Sequence, residues 1–303
     1  MATNRTEQLH PLARGLDART PEDILSVLLD AQMDALAAVR PALPAIARGA
    51  RLMADCLRAG GRLCYAGAGS SALMANADGM ELPGTFGIDP DRILLCMAGG
   101  IPTSADMPGG TEDDADAGRA AGADLGPGDL VVAVTASGST PYPVALARAA
   151  RARSARIVAI ANNEAAPIFE LADAAVCLAT PPEVIAGSTR MGAGTAQKAA
   201  LNLMSTLAAV HLGQVHDGLM VGLKADNSKL RDRAAGIVSL IAGVPGERAA
   251  RALEAVGGDV KRAVLAERGL TPDQAGRLLA ETDGILRAAL ARLKEPAASA
   301  GND

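Results

Sequence analysis

Between Gly60 and Leu212 the chain alternates short, apolar, β-rich runs with helical stretches, and this alternation limits the possible folds more than any other feature. The strand candidates are Leu63–Ala66, Ile93–Met97, Leu130–Val134, Arg156–Ala161 and Ala175–Leu178. Helical patterns intervene over Ala72–Met80, Thr111–Gly122, Pro141–Arg151 and Ala165–Ala172, and a long helix follows over Gly194–Leu212. Strands with no polar alternation, separated by helices, predict an α/β fold of three αβα layers around a mainly parallel sheet. Residues 1–59 read as a helical segment packed on that domain, because Ile24, Leu25, Leu28, Leu29 and Met33 recur at helical spacing after the start Thr20-Pro21-Glu22-Asp23. The sheet domain spans 60–228, with Gly213–Asn227 a turn-rich connection, and a small all-helical module follows over 229–295. Thr271-Pro272-Asp273 is a clear helix start within that module, and residues 296–303 have the composition of a disordered tail.

Two strand-to-helix junctions are loaded with small hydroxyl residues. One reads Gly67-Ala68-Gly69-Ser70-Ser71, the other Thr135-Ala136-Ser137-Gly138-Ser139-Thr140-Pro141. Glycine lets a backbone approach a ligand closely, and the free N–H groups of a helix start attract an anion. Hydroxyls add donors suited to phosphate oxygens. With Gly187-Ser188-Thr189-Arg190 as a third candidate, the pattern points to a pocket for a phosphorylated small molecule at the carboxyl ends of the strands.

Composition excludes other partners. Aromatic residues make up 1% of the chain, with no Trp, which argues against stacking of nucleic-acid bases. The net charge of -5 offers no basic footprint for nucleic acid or an anionic membrane. No apolar run approaches the roughly 18 residues of a membrane span, and Met1–Pro11 lacks the apolar stretch of a secretory signal, so a cytoplasmic protein is expected. Cys56, Cys64, Cys96 and Cys177 form no Cys-x-x-Cys pair and read as small core hydrophobes. His10, His211 and His216 have no ligand partners at useful spacing, so no metal site is expected. Gly67-Ala68-Gly69-Ser70-Ser71-Ala72 also fits a dinucleotide-binding fingerprint. The second strand candidate, however, ends Met97-Ala98-Gly99-Gly100 without the acidic residue such a site needs, and no such cofactor is expected.

Two carboxylates stand near the first junction. Glu112 lies in the glycine-led helix start Gly109-Gly110-Thr111-Glu112, where an acid is ordinarily a dipole partner. Glu81 lies just past the helix of the first junction, where it reads as an exposed loop carboxylate.

Taken together, the strings resemble the N-acetylmuramic acid 6-phosphate etherases, a branch of the sugar isomerase (SIS) fold group. The segments carrying the resemblance include Gly67-Ala68-Gly69, Glu81 with Pro83 and Thr85-Phe86-Gly87, Glu112-Asp113-Asp114 and Ala136-Ser137-Gly138. Gly187-Ser188-Thr189-Arg190 with Ala193-Gly194-Thr195-Ala196-Gln197-Lys198 is the block most specific to this branch. The resemblance implies an SIS-type domain and cofactor-free cleavage of a D-lactyl ether on a 6-phosphorylated amino sugar. It further implies a homodimer. It makes Glu81 the proton donor to lactate and Glu112 the base at C2. Gly69, Ser70, Ser71, Ser137, Gly138, Ser139, Thr140, Ser188, Thr189, Arg190, Gln197 and Lys198 then hold the sugar phosphate.

The chain departs from that pattern at cationic positions. The family's Gly-Arg stands here as Ala72-Leu73, its Arg as Ser139 and its Lys as Gly192. Charge-assisted contacts are the stronger ones, so their loss is expected to weaken affinity or shift the substrate. Two other readings therefore stay open: a sugar-phosphate sensor without turnover, and a lyase or isomerase for a different phosphosugar.

Overall fold

A computed structural model of the chain describes residues 5–107, 109–225 and 227–293. The expected tail at 296–303, and Lys294 and Glu295 of the helical module, lie outside the described residues. The chain divides into two compact units, Met1–Met80 with Pro90–Leu207, and Glu81–Asp89 with Ala208–Asp303.

The first unit begins with α1 (Pro21–Ala37) and α2 (Leu43–Arg58). At the start of α1 the Thr20 hydroxyl accepts from the Asp23 amide, and Pro21 at the first helical position loses no intrahelical bond. There follow β1 (Leu63–Gly67), α3 (Gly69–Phe86), β2 (Ile93–Met97), α4 (Ala115–Gly122), β3 (Leu130–Thr135), α5 (Pro141–Ala152), β4 (Arg156–Ala161), β5 (Ala174–Cys177) and α6 (Gly192–His211). The five strands pair in parallel in the order β2-β1-β3-β4-β5. Every residue of β1 and β3 is buried, as expected of strands covered on both faces. One apolar layer joins Val131, Ala133, Ile157 and Ala159 of the sheet to Leu146 and Ala150 of α5.

Strand order fixes where a ligand can sit. The chain leaves β1 toward β2 on one side and resumes with β3 on the other, so the connections diverge between β1 and β3. A crevice opens at such a switch point beyond the carboxyl ends of the strands. Gly67 is in register with Val134, which places the turns after β1 and β3 side by side at that edge.

The five strand candidates all form, each within a residue or so of its expected bounds. The helices differ more. The segment Ala165–Ala172 is a short 3₁₀ helix, Pro167–Leu171, and not an α-helix. The stretch Thr111–Gly122 splits into a 3₁₀ turn, Gly109–Asp113, and α4, whose start is capped by Asp114 accepting from the Ala117 amide. Helix α3 starts earlier and ends later than expected, so Glu81 lies inside it and not in a following loop. Pro83 and Gly84 suggest a break, yet proline forfeits only one backbone bond, and the Gly87 amide still donates to the Pro83 carbonyl.

Within the second unit, Val215–His216 (β6) and Leu219–Met220 (β7) make a small antiparallel hairpin. Among the described residues five helices follow: α7 (Ser228–Ala242), α8 (Gly246–Ala255), α9 (Val260–Ala266), α10 (Pro272–Glu281) and α11 (Leu286–Arg292). Asn227 and Asp259 cap α7 and α9, and Thr271 with Gln274 forms a reciprocal capping box on α10. These helices close over a core that includes Ile237, Val238, Leu253, Val264 and Leu265.

Candidate functional site

At the carboxyl end of β1 the backbone turns directly into α3. The Ala72 amide donates to the Ala68 carbonyl, so the amides of Gly69, Ser70 and Ser71 precede the first intrahelical bond. Ser70 is half-buried and Ser71 buried. Gly69 has φ +51°, and a Cβ there would lie 2.5 Å from Glu112 Oε1. Glycine suits both that left-handed turn and the close approach of the Glu112 carboxyl. The 3₁₀ turn carrying Glu112 also rests on the glycine turn after β2, where a Cβ on Gly99 would meet Thr111 at 3.0 Å.

Helix α4 then anchors this arrangement. A Cβ on Gly118 would lie 2.3 Å from the Tyr142 carbonyl oxygen, and one on Gly122 would lie 2.4 Å from that of Leu146, so bare helix surface lies against the start of α5. A cleft of about 70 Å3 results, lined by Gly69, Gly99, Asp106, Thr111 and Glu112 among others. Glu112 is half-buried there, and burial first, then the charge of Asp113, raises its carboxyl above the ordinary value. A carboxylate of raised proton affinity is a stronger base at neutral pH and is a recurrent feature of acid–base sites.

The turn after β3 is built differently. Thr135, at 2% exposure, places Oγ1 2.8 Å from Thr140 Oγ1 and 3.4 Å from Ser137 Oγ. Ser137 Oγ accepts from the Ser139 amide at 3.2 Å and from Ser139 Oγ at 3.2 Å. The Gly138 amide donates to Thr135 Oγ1, and the loop carbonyls are fixed by the Asn162 amide, the Asn163 side chain and the Ile168 amide. Gly138 has φ +78°, and a Cβ there would collide with Ala166 at 2.2 Å. Pro141 and Pro143 leave Tyr142 the only N–H in the first three helical positions of α5. Hydroxyls replace helix amides as the donors here.

The remaining expected contacts lie in the loop before α6 and on α6 itself. The start of α6, after Ser188, Thr189 and Arg190, is already filled by the carboxylate of Glu183. This residue is 5% exposed and accepts from the Gly192 and Ala193 amides at 3.0 and 2.9 Å. Ser188 and Thr189 are half-buried and Arg190 is exposed in the preceding loop. Gln197 is fully buried, and its amide donates to Asn162 Oδ1 at 2.8 Å. Lys198 is exposed on α6 and donates to Asn202 Oδ1. Glu81 is exposed on α3 and belongs to the second unit, whereas Glu112 and the hydroxyl turns belong to the first.

Sequence reasoning missed Glu183 and Asp78 and left Thr135 out of the site. Thr135 announces itself only as the single hydroxyl closing an apolar strand. Glu183 follows two prolines with no helix pattern of its own, and Asp78 sits in a helical stretch among small residues. Among the described residues no group of three or more His, Cys, Asp or Glu side chains could hold a metal ion.

The chain is similar to known proteins over most of its length. The SIS domain family matches residues 30–162, and a second form of the same domain matches residues 113–212. The N-acetylmuramic acid 6-phosphate etherase of Deinococcus radiodurans is 40% identical over 94% of this chain and 95% of its own. The enzyme of that name from Burkholderia lata is 44% identical, covering 86% of each chain. Among solved structures, a Bacteroides fragilis protein described as a phosphosugar isomerase involved in capsule formation superposes with TM-score 0.50 and 18% identity. That likeness covers 63% of this chain and 91% of that one, and it shows the shared fold.

Proposed function

The chain belongs to the N-acetylmuramic acid 6-phosphate etherase family, and we propose that it performs that family's lyase reaction with Glu81 and Glu112 as its proton-handling groups. Opening of the sugar ring frees an aldehyde at C1, which acidifies the C2–H bond. Glu112 takes that proton. The electron pair is first held as the enolate of the C1 aldehyde. In a second step it becomes the C2–C3 double bond as the C3–O bond breaks, and Glu81 gives its proton to the departing oxygen of D-lactate. Water adds at C3 and a proton returns to C2, leaving N-acetylglucosamine 6-phosphate. The reaction calls for a base at C2 and an acid at the leaving oxygen, and each contributes on the order of 10²–10⁴-fold.

The observation that carries the reading is Glu112, half-buried with raised proton affinity against Gly69 at the switch-point edge of the sheet. The phosphate is held by the Gly69, Ser70 and Ser71 amides together with the hydroxyls of Ser137, Ser139 and Thr140. A second copy of the chain is part of the proposal. Helix α1 leaves Leu25, Leu29, Met33 and Leu36 between 48% and 66% exposed at helical spacing, a stripe suited to a partner helix. A cytoplasmic setting fits four cysteines that are free thiols in the structure.

Release of D-lactate from N-acetylmuramic acid 6-phosphate by the wild type, and its loss by about 10²-fold or more in Glu81→Ala and Glu112→Ala, is the expected result. One observation favours the sensor reading: Leu73, Ser139 and Gly192 stand where the family carries cations, and Glu183 fills the start of α6. Saturable binding of the sugar phosphate with no lactate from the wild type would decide for the sensor.

A further inference from the structure

We infer that Asp78 is a positioning residue for the proton donor: it locks the rotation of α3 and so aims Glu81, three residues further along the same helix. The inference rests on Glu81 protonating the departing lactate. Asp78 is 4% exposed, on the inward face of α3. Its Oδ2 accepts from the Tyr65 hydroxyl of β1 at 2.8 Å. Its Oδ1 accepts from Asn202 Nδ2 at 2.7 Å and from Ser205 Oγ at 2.9 Å, both on α6.

A carboxylate is a costly way to pack a helix onto a sheet, since an apolar side chain would fill the same space without losing hydration. What the carboxylate adds is direction. Apolar contact tolerates roll and slide, whereas bonds to a strand and to a second helix fix the angle at which α3 lies. Tyr65 is held as a phenol to serve this role, because burial and then the neighbouring Asp78 push its ionisation well upward. The backbone is fixed in register as well: a Cβ on Gly79 would lie 2.9 Å from both the Tyr65 ring and the Leu95 side chain.

Helix α3 runs unbroken from Gly69 to Phe86. Three residues advance a helix by about 300°, so Glu81 leaves it nearly one turn on and about 60° round from Asp78. A rotation too small to unfold anything would therefore swing the Glu81 carboxyl away from the oxygen it must protonate. Donation to a leaving group is sensitive to such shifts, and a displacement of about 1 Å can cost about 10²-fold.

The test separates the two proton transfers. In Asp78→Asn, lactate release should fall about 10²-fold. Deuterium uptake at C2 from heavy water, which needs only the base, should stay within about twofold of the wild type. An analogue with fluoride in place of lactate at C3, which needs little protonation to leave, should be cleaved at the wild-type rate. Equal losses of release and exchange would overturn the inference, and so would release at the wild-type rate. Tyr65→Phe and Ser205→Ala each remove one bond and should show the same separation in smaller measure, which covers the case of a poorly folded Asp78→Asn. Glu81→Gln distinguishes two failures. If it too keeps release and exchange in step, the donor assignment is wrong. If it separates them and the Asp78 variants do not, the Asp78 inference alone fails.

Discussion

Two loops rich in glycine and hydroxyl groups lead into helices, Ser137-Gly138-Ser139-Thr140 into α5 and Gly187-Ser188-Thr189-Arg190 into α6. The first gathers its hydroxyls around Thr135, at a helix whose own amides are depleted by two prolines. The second leads to a helix whose first amides are engaged by the buried Glu183. Similar letters thus give one cluster of donors able to take up an anion and one helix start that an internal anion already satisfies. The helix dipole and amides of α6 are used to hold the fold together, while the hydroxyls after β3 stay available for chemistry.

The largest effect expected from this contrast concerns stability. Glu183→Ala removes two charge-assisted bonds and leaves buried amides unpaired, so unfolding free energy in urea should drop by about 3 kcal/mol. A loss below about 1 kcal/mol would mean that α6 does not depend on its internal anion. Next, Ser137→Ala with Thr140→Val should weaken binding of N-acetylglucosamine 6-phosphate about tenfold by calorimetry, with a stability loss of about 1–2 kcal/mol as the buried Thr135 hydroxyl loses both hydroxyl partners. The paired control Ser188→Ala with Thr189→Val should change that affinity by less than about threefold. Equal weakening by both pairs would erase the distinction between the loops. Ser139→Arg restores a cation at the exposed edge of the hydroxyl cluster and should tighten phosphate binding by about threefold to tenfold. The gain should shrink in high salt, since the new pair is exposed to solvent.

The smallest effect is a pH dependence at Glu112. Its folded-state proton affinity is raised, by burial and then by Asp113, so ionising it costs the folded state. The wild type is therefore penalised as pH rises through and above the ordinary carboxylate range, and not below it. Glu112→Gln should be more stable than the wild type at neutral pH in thermal melts, with the advantage fading at acid pH. An advantage that grows on acidification would contradict the sign.

Most of the sheet was legible because its strands are nearly continuous apolar runs with no competing period, and β1, β2 and β3 have glycine at or near an end. Both hydroxyl turns were legible for a related reason: glycine and serine at strand ends mark close backbone approach. Less could be read where a partner from a distant segment decides the outcome. Nothing in Gly187–Arg190 says that Glu183 satisfies the following helix, and nothing near Gln197 says that its amide is spent on Asn162. The end of α3 was misplaced because Pro83 and Gly84 are breakers locally. Local propensity likewise cannot tell that Ala165–Ala172 closes as a 3₁₀ turn, whose Ile168 amide holds the Gly138 carbonyl.

A crystal structure with N-acetylglucosamine 6-phosphate bound tests the account most directly. It should place the phosphate on the Gly69–Ser71 amides and the Ser137–Thr140 hydroxyls, with C2 of the sugar within about 3.5 Å of the Glu112 carboxylate. A phosphate seated on the Gly187–Arg190 loop, or a sugar whose C2 lies out of reach of Glu112, would contradict it.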